Sequence, residues 1–193
     1  SKDKTTKLVS NLINYLEDKL APEITVHGVC VEVFGVGVLI TGKSGIGKSE
    51  TALELIKRGH RLISDDAVIL RQIDNKLKAS CPELTKHLME IRGIGILDIK
   101  HLYGVGSIRI TQFVNLVVEL EEWTNGNDYE RLGLDEKFVK ILDVDIPQVI
   151  LPVRPGRNIA TIIEVAAKNH RQKLLGYNAA QLYNERLIDR IDN

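Results

Sequence analysis

The sequence holds few of the features that mark membrane, secreted or zinc-binding proteins. Only two cysteines, Cys30 and Cys81, occur among its 193 residues, and they form no C-x-x-C pair, so neither a zinc site nor a disulfide framework is expected. No apolar run approaches the roughly 18 residues that a membrane span requires. The N-terminal residues carry no signal-peptide pattern. We therefore expect no membrane association and a reducing, cytoplasmic location.

The chain also lacks an excess of either charge. Lys and Arg number 26, as do Asp and Glu, so the formal net charge is zero. A general nucleic-acid binder would show a basic excess, so no nucleic-acid partner is expected. The length is enough for one sizeable domain, and no internal repeat is present. Four histidines show no metal-ligand spacing and are expected to be structural or exposed: His60, His87, His101 and His170.

A glycine-rich stretch at residues 42–49 gives the clearest indication of chemistry. It reads Gly42-Lys43-Ser44-Gly45-Ile46-Gly47-Lys48-Ser49 and fits the P-loop pattern G-x-x-x-x-G-K-S. Its glycines allow the backbone to turn tightly and to present N–H groups to phosphate oxygens. In such loops the lysine reaches the β- and γ-phosphates, and the serine hydroxyl holds the bridging Mg²⁺. The stretch predicts a phosphate site for ATP with Mg²⁺.

The residues on both sides of this stretch predict the strand–loop–helix unit that a P-loop requires. Residues 37–41 are apolar and β-branched, which is typical of a buried strand. Residues 50–58 are rich in helix formers and basic in the last turn, and Gly59 follows as a stop signal. This context disfavours an ordinary glycine-rich turn with a surface lysine.

The rest of the chain predicts a mixed α/β fold, with hairpins around the P-loop unit and helices at the end. Apolar residues at helical spacing predict an amphipathic helix over residues 5–20, which Pro22 ends. Strands are expected over residues 24–34, 36–41, 60–66, 107–110, 115–120 and 149–153, and a hairpin over 67–71 and 77–79. A loop with a short helical turn is expected over residues 82–88, a loop leading into a strand or turn over 90–98, and a polar loop over 121–133. Helices are expected over 158–175 and 178–191.

Two acids, Asp65 and Asp66, end a predicted strand about 17 residues after Lys48. An aspartate beside a phosphate loop can hold the metal, directly or through water, or take the proton of the acceptor. Two acids at a strand end can also simply begin a turn. The P-loop upstream favours the functional interpretation.

Other polar residues allow a chemical role without requiring one. Glu90 precedes a glycine-rich run, where an acid is more often a solvated residue, and His27 on a predicted strand is more often structural. Arg131 lies on a loop from which it could neutralise transferring phosphate oxygens. Arg154 and Arg157 precede a predicted helix, which favours either an anion site or a helix-entry turn with exposed arginines.

Several runs taken together resemble the catalytic, C-terminal portion of the bacterial HPr kinase/phosphorylase family. The resemblance extends over essentially the whole chain, and the combination of runs is far more specific than the P-loop alone. The matching runs are Val26-His27-Gly28-Val29, residues 42–50 with Thr51-Ala52-Leu53-Glu54-Leu55, Arg58-Gly59-His60-Arg61-Leu62, Asp65-Asp66, Glu90-Ile91-Arg92-Gly93-Ile94-Gly95 and residues 152–157.

The resemblance implies a bifunctional enzyme that acts on HPr, the phosphocarrier of the sugar phosphotransferase system. In one direction the enzyme would phosphorylate a regulatory serine, using Mg²⁺ and either ATP or pyrophosphate. In the other, inorganic phosphate would remove that phosphate with release of pyrophosphate. The two reactions together would control carbon catabolite repression. The resemblance further implies a P-loop fold similar to phosphoenolpyruvate carboxykinase, a homohexamer and a possible sugar bisphosphate effector. A separate N-terminal domain is implied too, so residues 1–21 are expected to be a lead-in helix and residues 22–193 the catalytic domain.

By matching positions, the resemblance assigns roles to single residues. It implies catalytic roles for His27, Lys48, Asp66 and Arg131, with Asp66 as base in one direction and acid in the other. It implies phosphate binding by residues 42–49 and metal binding by Ser49 and Glu90. The segment implied for both reactions is Glu90, Ile91, Arg92, Gly93, Ile94, Gly95, Ile96, Leu97, Asp98 and Ile99. The segment implied for dephosphorylation is Pro152, Val153, Arg154, Pro155, Gly156 and Arg157.

Lys43 departs from the family pattern, in which an acid usually stands at this position. The added positive charge could change the preference between nucleotide and pyrophosphate, or the side chain could point to solvent.

Two other functions stay open at this point. A P-loop kinase for a small metabolite would ignore HPr, and a regulatory module would bind Mg²⁺–ATP without turnover. A GTPase is disfavoured because Asn75-Lys76-Leu77-Lys78 has lysine where the guanine signature N-K-x-D needs aspartate.

Overall fold

The computed structural model describes residues 6–9, 12, 20–124 and 136–191. Residues 6–9, 12 and 20 are helical, while the other residues of the helix expected over 5–20 lie outside the described part. No helix among the described residues is long and apolar enough to cross a membrane.

Most strands of the described chain join one nine-stranded sheet, and the helices are few. The strands are β1 (Glu23–His27), β2 (Val29–Val33), β3 (Val36–Gly42), β4 (Arg61–Ser64), β5 (Ala67–Ile73), β6 (Lys76–Ser80), β7 (Leu88–Ile91), β8 (Gly95–Asp98), β9 (Thr111–Glu122), β10 (Lys137–Ile141) and β11 (Val144–Val153). The α-helices are α1 (Lys48–Lys57), α2 (Ile99–Tyr103), α3 (Ile159–Leu174) and α4 (Ala179–Ile191). Short 3₁₀ turns occupy Glu83–Thr85 and Val105–Ser107.

The large sheet follows the order β1-β5-β6-β9-β3-β2-β4, and β11 pairs with both β9 and β10. β9 runs parallel to β3 and to β11, whereas the other pairs in the sheet are antiparallel. The carboxyl ends of parallel strands meet at one edge, where open α/β sheets bind ligands. Here that edge carries the glycine-rich stretch after β3, residues 121–124 at the end of β9 and residues 152–157 at the end of β11.

Each face of this sheet is covered by its own hydrophobic core. On β3, Val38 and Ile40 pack in a cluster with Leu55 of α1 and Ile163 of α3. Leu39, which points the other way, packs in a second cluster with residues of β5, β6 and β11. This alternation along one strand is what a strand buried on both faces requires, and it fixes the end of β3 where the glycine-rich stretch begins.

The mixed α/β fold with C-terminal helices predicted from the sequence is confirmed. The strand and helix around the glycine-rich stretch, the hairpin across Asp74 and Asn75, and the last two helices all form. Asn158 caps α3, since its Oδ1 accepts a hydrogen bond from the Thr161 N–H at 3.0 Å. These elements depend on local signals, which explains why the sequence alone predicts them.

The single strand predicted over residues 24–34 is wrong, because the chain changes partner at Gly28. β1 pairs with β5, whereas β2 pairs with β3 and β4. The Gly28 N–H donates to the Asp66 carbonyl at 3.0 Å. A Cβ at Gly28 would lie 2.7 Å from the Ile40 carbonyl oxygen, so a glycine permits the close crossing.

Three other predictions also need correction. Residues 90–98, expected as a loop leading into a strand or turn, belong to a hairpin of β7 and β8. Residues 107–110, expected as a strand, form none: Ser107 ends a 3₁₀ turn, and Ile108 makes an isolated β-bridge to Leu62. The strand β10 was not predicted at all. The loop expected over 121–133 begins within β9, and residues 125–135 lie outside the described part.

Candidate active site

The glycine-rich stretch forms a loop that leads directly into the N-terminus of α1. Gly47 adopts a left-handed conformation with φ of 101° at the helix start, which favours glycine. Lys48 is buried, and its Nζ donates to the carbonyl oxygens of Gly42 and Lys43, both at 3.0 Å. Burial lowers the pKa of Lys48, against the opposing charges of Asp66 and Asp65. The lysine is thus held across the base of a loop that opens toward the helix dipole.

Asp65 lies beneath the loop and links it to the β7–β8 hairpin. The Ser49 hydroxyl donates to Asp65 Oδ1 at 2.8 Å, and the Glu90 backbone N–H donates to Asp65 Oδ2 at 3.0 Å. Asp65 is only 4% exposed. Burial raises its pKa, while the two hydrogen bonds act in the opposite direction. The carboxylate therefore orients the Ser49 hydroxyl and fixes the start of residues 90–99.

Asp66 points away from this buried contact and pairs with His27. Their Oδ1 and Nδ1 atoms are 3.0 Å apart, and the side chains are 72% and 51% exposed. Asp66 has a left-handed φ of 65°, so the chain turns sharply between β4 and β5. The two neighbouring acids predicted from the sequence thus have different environments, one buried under the loop and the other open to solvent beside a histidine.

The β7–β8 hairpin brings residues 90–92 to the loop. Glu90 contacts Asp65 through its backbone, and its side chain is exposed. Arg92 extends from the hairpin turn, and its Nη2 lies 3.3 Å from the Ser44 hydroxyl. A Cβ at Gly45 would lie 2.8 Å from Nη1 of the same arginine. The guanidinium therefore lies against the first half of the phosphate loop.

Residues 152–157 end β11 at the same sheet edge. The Arg157 Nη1 donates to the Pro152 carbonyl at 3.0 Å, and the Arg154 guanidinium lies 4.7 Å from the centre of the Trp123 ring. These contacts order the turn before α3 and place both arginines next to the end of β9. Arg131, the remaining residue predicted for the site, lies outside the described residues.

A cavity of about 530 Å³ opens on the other flank of the loop. Lys43 lines it with an exposed side chain. Glu119 also lines it and accepts a hydrogen bond from the Gln148 amide at 2.7 Å. The cavity is further lined by Glu121, Glu122, Val117, Val139 and Ile141. The effect of Lys43 on donor preference stays a prediction.

The structure thus brings together most of the residues predicted for the site, at one end of the sheet. Two contacts were not predicted. The sequence did not distinguish the buried role of Asp65 from that of Asp66, and it did not place Arg92 on the loop. The only signal for Arg92 was its place in residues 90–99, which the resemblance implies for both reactions. The arrangement has the parts that phosphoryl transfer needs: an anion-binding loop, a lysine, a hydroxyl oriented by a carboxylate, and a second carboxylate with access to solvent.

Comparison with known proteins identifies similar chains. The HPr kinase/phosphorylase of Caldanaerobacter subterraneus subsp. tengcongensis is 58% identical over 194 residues, which cover 100% of this chain and 64% of the relative. That of Geobacillus kaustophilus is 59% identical over 191 residues, covering 98% and 61%. The chain therefore spans somewhat less than two thirds of the length of these curated relatives.

Among solved structures, the Hpr(Ser) kinase/phosphatase from Coxiella burnetii matches with a TM-score of 0.74 and 35% sequence identity. The match covers 84% of this chain and 99% of the solved chain. Residues 18–187 match the HPr Serine kinase C-terminal domain family. The resemblance predicted from the sequence is confirmed, and the chain belongs to the HPr serine kinase C-terminal domain family.

Proposed function

We propose that this chain is the catalytic part of a bifunctional kinase and phosphorylase that acts on a regulatory serine of HPr. In one direction it transfers a phosphoryl group from ATP or pyrophosphate to the serine. In the other it transfers that group to inorganic phosphate and releases pyrophosphate, and the balance of the two controls carbon catabolite repression. The observation that carries this proposal is the split of two adjacent acids, with Asp65 on Ser49 under the loop and Asp66 exposed beside His27.

The residues beside the loop fit a bound Mg²⁺. This ion prefers oxygen ligands and usually takes one or two protein groups together with substrate phosphates. The Ser49 hydroxyl and the Glu90 carboxylate would hold it, and Asp65 would keep the hydroxyl oriented. Bound there, Mg²⁺ would neutralise charge on the phosphates of the donor. Lys48, on the same side of the loop, would contact the phosphates directly.

Asp66 is the residue best placed to exchange a proton with the acceptor serine. Its carboxylate is exposed, and His27 at 3.0 Å can fix its orientation. In the kinase direction Asp66 would accept the serine proton, and in the reverse direction it would return that proton to the leaving serine. Microscopic reversibility requires this exchange of roles. Orthophosphate is already an anion near neutral pH and needs no base of its own.

Family membership supports the remaining roles that we propose. Arg131 would stabilise the transferring phosphoryl group, residues 90–99 would serve both reactions, and residues 152–157 would serve mainly dephosphorylation. We also infer a core similar to phosphoenolpyruvate carboxykinase, a hexamer, a cytoplasmic location and a possible sugar bisphosphate effector. Residues 1–21 would lead in from an N-terminal domain, and residues 22–193 would form the catalytic domain.

The proposal is tested by following phosphate through both reactions. Purified HPr is incubated with the chain and Mg²⁺–ATP, and the phosphorylated product is then treated with inorganic phosphate while pyrophosphate is assayed. We expect transfer to a serine, and pyrophosphate only when phosphate is added. If the chain binds ATP but shows neither reaction, and if adding the N-terminal part of a relative does not restore them, the proposed activity is wrong. Transfer to a small metabolite instead of HPr would favour the alternative kinase.

A further inference from the structure

Arg92 is a cation that no carboxylate neutralises within the part of the chain that the structure describes. Its side chain is exposed, and its one hydrogen bond among the described residues runs from Nη2 to the Ser44 hydroxyl at 3.3 Å. By contrast, Arg58, Arg71 and Arg109 each pair with a glutamate. A guanidinium carries five N–H donors, so most of the donors of Arg92 are available to a ligand.

The hairpin that carries Arg92 is held to the site, and the guanidinium lies against the loop. The hairpin is held by the hydrogen bond from the Glu90 N–H to Asp65 at 3.0 Å. On the loop side, Nη1 lies so close to Gly45 that a Cβ there would be 2.8 Å away. Gly45 is needed for its φ of 82°, and its missing side chain leaves room for the guanidinium. This close packing places a charged group over the loop without crowding it.

Two cations, Lys48 and Arg92, contact the loop. Lys48 crosses the base of the loop and bonds the carbonyls of Gly42 and Lys43. The charge of Arg92 is close enough to contribute to lowering the pKa of Lys48, although burial is the larger cause. Like charges brought together in this way repel each other, and an anion bound between them removes that repulsion.

We propose that Arg92 binds the diphosphate group of the phosphoryl donor, on the side of the loop formed by Ser44 and Gly45. This inference rests on the proposed function and adds a contact residue to it. The planar guanidinium suits this role, because its N–H groups can bond two phosphate oxygens at once. The diphosphate belongs to pyrophosphate or to a nucleotide. Since the same loop serves transfer in both directions, Arg92 binds the donor of one reaction and the product of the other.

The test is titration calorimetry with Mg²⁺ and inorganic pyrophosphate, and separately with Mg²⁺ and ADP. We expect Arg92→Gln to raise the Kd for pyrophosphate by about tenfold to a hundredfold, which is typical for the loss of charged hydrogen bonds. Arg92→Lys keeps the charge but loses the paired N–H groups, so its Kd should lie between those of the other two proteins. An equal rise in the Kd for ADP places Arg92 on the β-phosphate of a nucleotide as well. A rise in the Kd for pyrophosphate alone assigns Arg92 to pyrophosphate.

Arg109→Gln is the matched control, because Arg109 bonds Glu32 at 2.6 Å, outside the loop. The Kd of this variant for pyrophosphate should equal that of the wild type. Thermal melting of each variant checks the fold. If Arg92→Gln does not fold, the Kd of Arg92→Lys decides alone. A Kd of Arg92→Gln within twofold of wild type overturns the inference. HPr is absent from these titrations, so failure of the wild type to bind either ligand would instead count against the proposed donor site.

Discussion

At the scale of single residues, Asp65 and Asp66 show how neighbours in sequence can differ in chemistry. Asp66 is 72% exposed beside His27, whereas Asp65 accepts two hydrogen bonds under the loop. We expect Asp66→Asn to lower the rate of transfer to HPr by about 10²- to 10⁴-fold, the usual contribution of a general base. The Kd for ATP should stay near that of the wild type, because the Asp66 side chain pairs with His27 and makes no hydrogen bond to the described loop residues. Transfer close to the wild-type rate would contradict the assignment of Asp66 as base.

Asp65 should matter for stability as well as for binding. Asp65→Ala would leave the Ser49 hydroxyl and the Glu90 N–H without their acceptor. Loss of such buried partners costs about 1–3 kcal/mol in the free energy of unfolding, which urea denaturation would measure. Asp66→Asn is the control and should change that free energy little, since its side chain is exposed and asparagine tolerates the left-handed φ of 65°. Equal losses in the two variants would show that the buried contact does not stabilise the fold.

Cys30 gives a third expectation at this scale. It is fully buried in β2, and burial raises the pKa of its thiol to about 12. Because the thiolate is the reactive form, a thiol reagent at pH 8 should not modify Cys30 in the folded protein. Cys81 is partly exposed and is the expected site of any slow reaction. Mass spectrometry of the labelled chain, before and after unfolding in urea, distinguishes the two positions.

At the scale of elements, helices α1 and α3 are joined by a charged cluster around Glu164. Arg58 follows α1 and bonds Glu164 at 2.7 Å, and the His60 Nε2 lies 2.9 Å from the other carboxylate oxygen. His60 is only 5% exposed. We expect Glu164→Ala to lower the free energy of unfolding by about 1–3 kcal/mol, because it leaves a buried imidazole nitrogen without its partner. Urea denaturation at pH 7 measures this loss.

The same cluster predicts a pH dependence of stability. Burial alone would raise the pKa of Glu164, but the hydrogen bonds from His60 and Arg58 outweigh it and lower the pKa below its ordinary value of 4.5. A carboxyl whose pKa is lowered by folding stabilises the protein above its unfolded pKa and loses that contribution as the pH falls through the folded pKa. The difference between wild type and Glu164→Ala should therefore be constant near pH 7 and should shrink below about pH 4.5. A difference that does not change down to pH 3 would contradict this account.

Elements whose signals are local in the sequence were predicted, whereas features that depend on tertiary contacts were missed. The unit of β3, loop and α1 was predicted because strand pattern, glycines and helix formers are adjacent in sequence. The break at Gly28 was missed because its cause is tertiary: the close approach of the Ile40 carbonyl, a residue of another strand. Gly37 shows the same effect, since a Cβ there would lie 1.9 Å from the Phe113 carbonyl of β9. Neither contact leaves a periodic pattern in the chain.

At the scale of the whole molecule, the site is assembled by sheet topology. Three different strand ends supply the glycine-rich loop, Asp66 and His27. The hairpin that carries Glu90 joins them through a hydrogen bond from the Glu90 N–H to Asp65, which is 25 positions away in sequence. Composition and spacing predicted the loop and the acids, but the positions of Glu90 and His27 came from the family resemblance. The contact of Arg92 with the loop emerged only once the hairpin was placed, since the resemblance named Arg92 only as one member of residues 90–99.

The distribution of the core leads to a last prediction, which concerns α4. The buried residues of α3 include Ile163, which is 0% exposed and packs against the cluster of β3 and α1. In α4 the large apolar side chains Tyr183, Leu187 and Ile188 are instead between 39% and 52% exposed. A chain that ends at Gly176 should therefore keep its core and fold. We expect its Tm to stay within about 4 °C of the full chain, which corresponds to about 1 kcal/mol at this size.

The Kd of the truncated chain for Mg²⁺–pyrophosphate should also equal that of the full chain, because the loop, Asp65 and Arg92 lie outside α4. Ile163→Ala in the full chain is the contrasting variant, and it should lose about 2–5 kcal/mol through a cavity in the core. Circular dichroism melts and calorimetry of the two proteins test both statements. Should the truncated chain melt as early as Ile163→Ala, α4 would be part of the folding unit, and its apolar face would be covered within the folded protein or its assembly.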